Sequence, residues 1–272
     1  MKSVKILNKK IIYILLLIVI TPILFNILEA KIISNYGYQK SQNIQKIYLT
    51  IDMCPSRSKD YDKDLFDAIV MLSKRYQKPI NVAIAVSGYW ILEHKEALEE
   101  IKQLEKEGYM AITWVNHGYQ HHYDEHAKLQ DNFMLHNEKY AIYDIIKNHS
   151  VMIEYGLTPS NFFRFPGLIS DEYLNNLLTK IDLIPLGAST WLAKSRGKFS
   201  GGDIILLHGN TNERLGAKLF IKNVKNNAFD NFEFASISDF TLMADTNENV
   251  NINSNINSNV NFSSPANLNN LK

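Results

Sequence analysis

Ile47-Tyr48-Leu49-Thr50-Ile51-Asp52-Met53-Cys54-Pro55 is the stretch on which the fold turns. Ile47, Leu49 and Ile51 alternate with polar or aromatic neighbours, the period of two that a strand imposes. A helical pattern follows over Asp62 to Lys74, with Leu65, Ile69 and Leu72 on one face. The same unit then recurs. Ile80 to Val86 is an apolar strand behind Pro79, and Glu93 to Glu107 carries Ala97, Leu98, Ile101 and Leu104 at helical spacing before Gly108 ends it. Tyr109 to Val115 reads as strand and Asn132 to Ile153 as one or two helices. Asn161 to Phe163, Ile184 to Ser189, Asp203 to Leu207 and Phe232 to Ile237 read as strands. Ser170 to Lys180, with Ser170 as N-cap, and Asn212 to Val224 read as helices. Regular alternation of this kind specifies a parallel sheet or a (β/α) barrel. Residues 46–243 are too few for a complete eightfold barrel, which takes roughly 250. The expected fold is therefore α/β, a distorted or incomplete (β/α) barrel.

The flanks differ from this unit. Lys2, Lys5, Lys9 and Lys10 precede Ile11 to Leu28, a run without a charged residue. Such a run is long enough to cross a hydrocarbon core of roughly 30 Å as a helix, with its basic flank in the cytoplasm. Residues 1–30 are expected to be a signal peptide or a transmembrane helix that makes the membrane a partner. The bulky Leu28 in Leu28-Glu29-Ala30 makes a poor cleavage site and favours a retained anchor. The expected location is outside the cytoplasm, anchored or secreted, in the cell envelope. Residues 31–45 read as a linker. Residues 247–272 read as a disordered tail, because every second residue from Asn247 to Asn261 is asparagine with no bulky counter-face.

Composition narrows the function classes. With 46% hydrophobic residues in a chain of 272, a buried core needs no disulfide support. Cys54 is the single cysteine, which excludes an internal disulfide framework and any cysteine-rich zinc module. Lys and Arg number 29 against 28 Asp and Glu, so the basic footprint of a nucleic-acid binder is missing and no nucleic-acid partner is expected.

Polar residues gather at the strand ends. Asp52 follows the first strand, Asn116-His117 the third, Arg164 the short strand at Asn161, and Trp191 the strand ending at Ser189, while His208 closes Ile204 to Leu207. The carboxyl ends of parallel strands are where α/β folds place their sites. The stretch Asn116 to His126 holds half of the chain's eight histidines. His117 and His121 are four apart, and on a helical turn or a tight loop that spacing aims two imidazoles at one point, as a divalent metal requires. His122 and His126 share the spacing and fall on the outer side, as surface or supporting residues.

Thr50-Ile51-Asp52-Met53-Cys54-Pro55 resembles the first motif, T-F-D-D-G-P, of the polysaccharide deacetylases of the NodB-homology type, carbohydrate esterase family 4. Asn116-His117-Gly118-Tyr119-Gln120-His121 resembles the second, N-H-[ST]-x-x-H. Arg164-Phe165-Pro166-Gly167 is similar to the third, R-x-P-x-G, with the glycine one position early. Trp191 is similar to the aromatic residue of the fourth, and Leu206-Leu207-His208 to the fifth, L-x-H.

The resemblance implies a hydrolase that removes acetyl groups from N-acetylated sugars of a peptidoglycan-like or chitin-like glycan, with one divalent ion, generally zinc. It implies His117, His121 and Asp52 around the metal, Asp52 as general base, His208 as general acid and Arg164 as the residue holding Asp52. Trp191 and Leu206, with Pro166 and Tyr119, would form the substrate-binding surface, and a backbone N–H near Tyr119 would stabilise the oxyanion. One departure stands out: the family's carboxylate ligand is Met53 here, and a thioether does not replace a carboxylate on zinc. The third ligand is then Asp52 itself, favoured as the carboxylate at the strand end; or Cys54, Asp124 or His122; or water. A catalytically silent glycan-binding relative and an O-acetyl esterase are the alternative functions.

Overall fold

The computed structural model describes residues 31–239. In chain order its elements are β1 (Ile33–Ser34), β2 (Lys46–Met53), α1 (Lys63–Tyr76), β3 (Ile80–Val86), α2 (Gly88–Glu93), α3 (Lys95–Lys106), β4 (Met110–Asn116), α4 (Ala141–Glu154), β5 (Pro159–Phe163), β6 (Ile169–Ser170), α5 (Glu172–Lys180), β7 (Ile184–Pro185), β8 (Thr190–Trp191), β9 (Ile204–His208), α6 (Arg214–Lys225) and β10 (Glu233–Phe234). The main sheet runs β7-β5-β4-β3-β2-β9-β8 with parallel pairing throughout, and β10 joins the start of β2. This is the expected distorted, incomplete barrel: a curled sheet with a seam between β7 and β8.

Strand alternation divides the core into two layers. Ile47, Leu49, Ile51 and Met53 of β2 face the helices, where they join Leu65 and Ile69 of α1, Leu98 and Ile101 of α3 and Phe220 of α6. Tyr48 faces the other way, into the barrel, with Ala83 and Ala85 of β3, Val115 of β4, Phe162 of β5 and Leu206 of β9. Small alanines beside large aromatics are what the narrow interior of a small barrel accommodates.

Residues 31–45, expected as a linker, are tied into the sheet. β1 pairs antiparallel with β6, and residues 35–41 lie across the seam. Tyr38 bridges Leu186, and Lys40 bridges Asp203. The Asn35 side chain donates to the Ala188 carbonyl at 2.6 Å and accepts from the Ala188 amide at 2.7 Å, a reciprocal pair that mimics a strand ladder. Asp203 clamps the same region: it accepts from Ser189 Oγ at 2.9 Å, Thr190 Oγ1 at 2.7 Å and the Ser200 amide at 2.7 Å, and it pairs with Lys40 at 3.1 Å.

Several elements depart from the sequence pattern. The helix expected over Glu93 to Glu107 breaks at His94, whose ring nitrogens face the carbonyls of Trp90 and Ser58. The strand expected over Ile184 to Ser189 is replaced by two short ones on opposite edges of the sheet. Asp171, not Ser170, caps α5, accepting from the Leu174 amide at 2.8 Å. The helix expected from Asn132 starts only at Ala141, because Phe133 adopts a positive φ of 54° and short 3-10 turns precede the helix. The transmembrane helix and the membrane as a partner are corrected: among the described residues, no helix is long and apolar enough to cross a membrane. The run Ile11 to Leu28 that suggested them, like the asparagine-rich tail, lies outside the described residues.

The Asp203 clamp has a measurable consequence. Its carboxyl would be raised by burial, but the hydrogen bonds from Thr190, Ser200, Ser189 and Lys40 hold it below the usual value. Its contribution is therefore fully present above the unfolded-state carboxylate pKa and is lost as pH falls through the depressed folded value. Asp203→Asn is expected to lose about 1–3 kcal/mol in urea unfolding at neutral pH. The difference from wild type should begin to shrink below about pH 4, where the unfolded chain takes up the proton, and go on shrinking as pH falls through the depressed folded value; a constant difference down to pH 2 would contradict this account.

Candidate metal centre

The carboxyl end of β2 is pinned on both sides. Gly209 donates its amide to the Asp52 carbonyl at 3.1 Å, Ser87 donates amide and hydroxyl to the Met53 carbonyl, and Asn210 Nδ2 donates to the Cys54 carbonyl at 2.8 Å. These bonds keep the chain extended past the end of the strand. Asp52 and Cys54 then point into the barrel mouth, while Met53, fully buried, packs in the helix-facing layer.

The histidine loop leaves β4 through Asn116. The Asn116 side chain accepts from the Gly118 amide at 3.0 Å and from Asn148 Nδ2 at 2.7 Å, and donates to the Ile145 carbonyl at 2.9 Å. Asp144 of α4 accepts from the amides of Tyr119 and Gln120, at 2.7 and 3.0 Å. Gly118 has φ +75°, and a Cβ there would sit 2.7 Å from Asp144 Oδ2, so the loop can approach the carboxylate only with glycine at this position. His121 has φ +50°; the His117/His121 spacing is thus realised by a tight loop rather than by a helical turn.

The result is a cluster of Cys54 Sγ with one ring nitrogen each from His117 and His121, all within 4.8 Å of one another. Cys54 Sγ lies 3.6 Å from His117 Nε2. His117 Nδ1 donates to the Arg164 carbonyl at 2.8 Å, which fixes the tautomer and leaves Nε2 as the free electron pair facing the cluster. His121 Nε2 is buried without a hydrogen-bond partner. A buried nitrogen with no partner is costly unless something fills its lone-pair direction. One thiol and two imidazoles, two of these residues buried, are a donor set that a single divalent ion fits. Burial would raise the Cys54 thiol, but His121, His117 and His208 around it hold it well below the usual range.

Asp52 falls outside this group, with Oδ2 3.8 Å from His117 Nε2. Its Oδ1 accepts from Arg164 Nη1 at 2.8 Å. Arg164 is wholly buried and also donates to Thr50 Oγ1 at 2.8 Å and to the carbonyls of Leu186 and Gly187 at 3.2 and 2.9 Å. Burial alone would raise the Asp52 carboxyl, but Arg164, with His117 and His208, keeps it below the ordinary range and ionised.

On the opposite side His208 Nδ1 donates to Glu213 Oε2 at 3.2 Å, and Trp191 Nε1 donates to the same oxygen at 2.5 Å. Glu213 thereby orients both side chains. Burial would depress the His208 imidazole, but Cys54, Glu213 and Asp52 raise it well above its usual value. Trp191 pairs in register with Leu206 and packs against the inner core, so an apolar wall stands beside His208.

Other expected site residues lie elsewhere. The Tyr119 ring packs on Tyr89, 4.9 Å away, and its amide is taken by Asp144, so it is not available to an oxyanion. Pro166 is buried, beside Gly118 of the histidine loop. His122 is exposed and pairs with His136, and Asp124 is exposed and bonds the His126 amide; neither belongs to the cluster. Asp144 and Glu213 were not visible as site residues in the sequence. Glu213 is five residues beyond His208, a proximity that the turn after β9 turns into contact.

No family model matches the chain. Its fold is shared with a family 4 carbohydrate esterase from Bacillus anthracis, at TM-score 0.56 and 18% identity over 76% of this chain and 88% of that one. A family 4 carbohydrate esterase from Streptomyces lividans, determined with acetate, superposes at TM-score 0.54 and 14% identity over 73% and 96% of the two chains. The peptidoglycan deacetylase PdaC from Bacillus subtilis superposes at 0.54 and 16% identity over 76% and 94%.

If Asp144 sets the loop, removing it loosens the metal centre. Asp144→Ala is expected to weaken binding of zinc about 10–100-fold, the range for supporting residues, in competition with a chromogenic chelator. Unchanged affinity in a folded variant would show that the loop holds its own shape.

Proposed function

We propose that this protein removes acetyl groups from N-acetylated sugars of a polysaccharide by metal-assisted hydrolysis. The observation that carries the reading is the convergence at one barrel mouth of a three-residue donor cluster, a carboxylate held by a buried arginine, and a histidine held by a carboxylate. The shared fold supports it, since esterases and a peptidoglycan deacetylase are built on the same frame. Zinc suits a set of sulfur and nitrogen donors.

A divalent ion at the cluster supplies a water of lowered pKa and a polarised acetyl carbonyl. The chain's own residues do the rest. Asp52, with Oδ1 held by Arg164, keeps Oδ2 directed toward the cluster and takes the proton of the attacking water. His208, tied through Nδ1 to Glu213, keeps Nε2 for the leaving amine, which must be protonated to depart. Trp191 and Leu206 form the apolar wall against which the acetyl methyl packs. Peptidoglycan-like substrates lie outside the cytoplasm, so the reading entails export.

Met53 on its own favours a silent glycan-binding relative. That support weakens because position 53 faces the helices, whereas Cys54 occupies the mouth.

Acetate release from chitin oligomers or peptidoglycan fragments is expected to fall about 10²–10⁴-fold in Asp52→Asn and in His208→Ala. Release from O-acetylated but not N-acetylated sugars would reassign the protein as an esterase. Glu213→Gln removes a charge that raises His208, so the alkaline limb of the pH–rate profile, where His208 loses its proton, should move to lower pH. An unmoved limb would take Glu213 out of this role.

A further inference from the structure

We infer that Cys54 supplies the anionic ligand to the metal and that Asp52 does not coordinate it. The inference rests on the metal-dependent reading above and names the ligand set of that site. Three observations carry it. First, a tetrahedral ion at ordinary Zn–S and Zn–N bond lengths separates a sulfur and a nitrogen donor by roughly 3.6 Å. Cys54 Sγ and His117 Nε2 stand 3.6 Å apart, and it is Cys54, not Asp52, that joins both histidines in the group of donor atoms lying within 4.8 Å of one another.

Second, Asp52 has another use. Its Oδ1 is bonded to a guanidinium with no exposed surface, so its negative charge is already balanced by a buried cation. Third, position 53 is unavailable to any ligand. Met53 is fully buried in the helix-facing layer, and its sulfur contacts the backbone at Gly209, where a Cβ would come within 2.8 Å of it.

Coordination forms an S–metal bond and breaks the S–H bond of Cys54, whose proton passes to solvent, so one thiolate provides the negative charge that a carboxylate would otherwise bring. The base and the ligand then fall to different residues, Asp52 and Cys54, which share the inward face of one extended segment.

The test uses the full-length protein loaded with Co(II). One equivalent of cobalt should bind with sulfur-to-cobalt charge-transfer absorption in the near ultraviolet. Cys54→Ser should lose that absorption. Cys54→Asp should bind one equivalent without it, which covers the case in which the serine variant fails to fold. Asp52→Asn should keep both the absorption and the stoichiometry while losing turnover. Cobalt bound by wild type without the absorption, absorption that survives in Cys54→Ser, loss of cobalt in Asp52→Asn, or no cobalt bound at all would each overturn the inference. Acetate released by a cobalt protein that lacks the absorption sinks the ligand assignment alone; absorption without acetate release from any N-acetylated glycan sinks the deacetylase reading alone.

Discussion

The Arg164 guanidinium has no exposed surface, and the site is organised around the need to satisfy it. A buried cation is tolerated only when its donors are matched and a counter-charge is close. Thr50 and Asp52 of β2 provide one hydroxyl and the carboxylate, and the carbonyls of Leu186 and Gly187 beyond β7 provide the rest. The side chain thus links the second strand to the far edge of the sheet, across the barrel interior. The residue acts through its main chain as well, because its carbonyl receives His117 Nδ1–H. One residue therefore fixes the carboxylate on one side of the cluster and the imidazole tautomer on the other. Replacing it by lysine would keep the charge but give up the planar fork that reaches four acceptors at once.

Around that constraint, backbone hydrogen bonds do the positioning. The turn after β9 holds the carbonyls of Asp52 and Cys54, Ser87 holds that of Met53, and Asp144 holds two amides of the histidine loop. Each functional side chain is carried by a segment whose main chain is tied to a neighbouring element. Fixing a site in advance in this way lowers the ordering cost of binding an ion.

Much of this was legible in the sequence, and the reasons for the rest are physical. Alternating strand and helix patterns locate β2, β3, β4 and β9; β2, β3 and β9 bury both faces along nearly their whole length and read as strong apolar runs, while β4 does so only from Trp114 onward. The two-residue strands β7 and β8 bury too little to leave a pattern, and the expected single strand there was wrong. Arg164, His117 and His208 stand where strand-end logic puts them, and His121 is reached by its spacing from His117. Cys54 was legible too, had the alternation been carried two residues further: Thr50, Asp52 and Cys54 share one face, and Met53 belongs to the other. Asp144 and Glu213 had no such signal, since a carboxylate that receives a distant amide or imidazole looks like any surface acid until the chain is folded.

The strap of residues 35–41 gives the molecule an order of assembly. Asn35 finds its partner Ala188 at a separation of 153 residues, and Lys40 finds Asp203. During synthesis, residues 35–41 must wait for the last third of the chain before the seam can shut. Until then, β7 and β8 expose unpaired strand edges, the surfaces through which half-made sheets pair with one another. β8 reaches the sheet only through β9, so the second edge of the seam exists only once Ile204–His208 has been made.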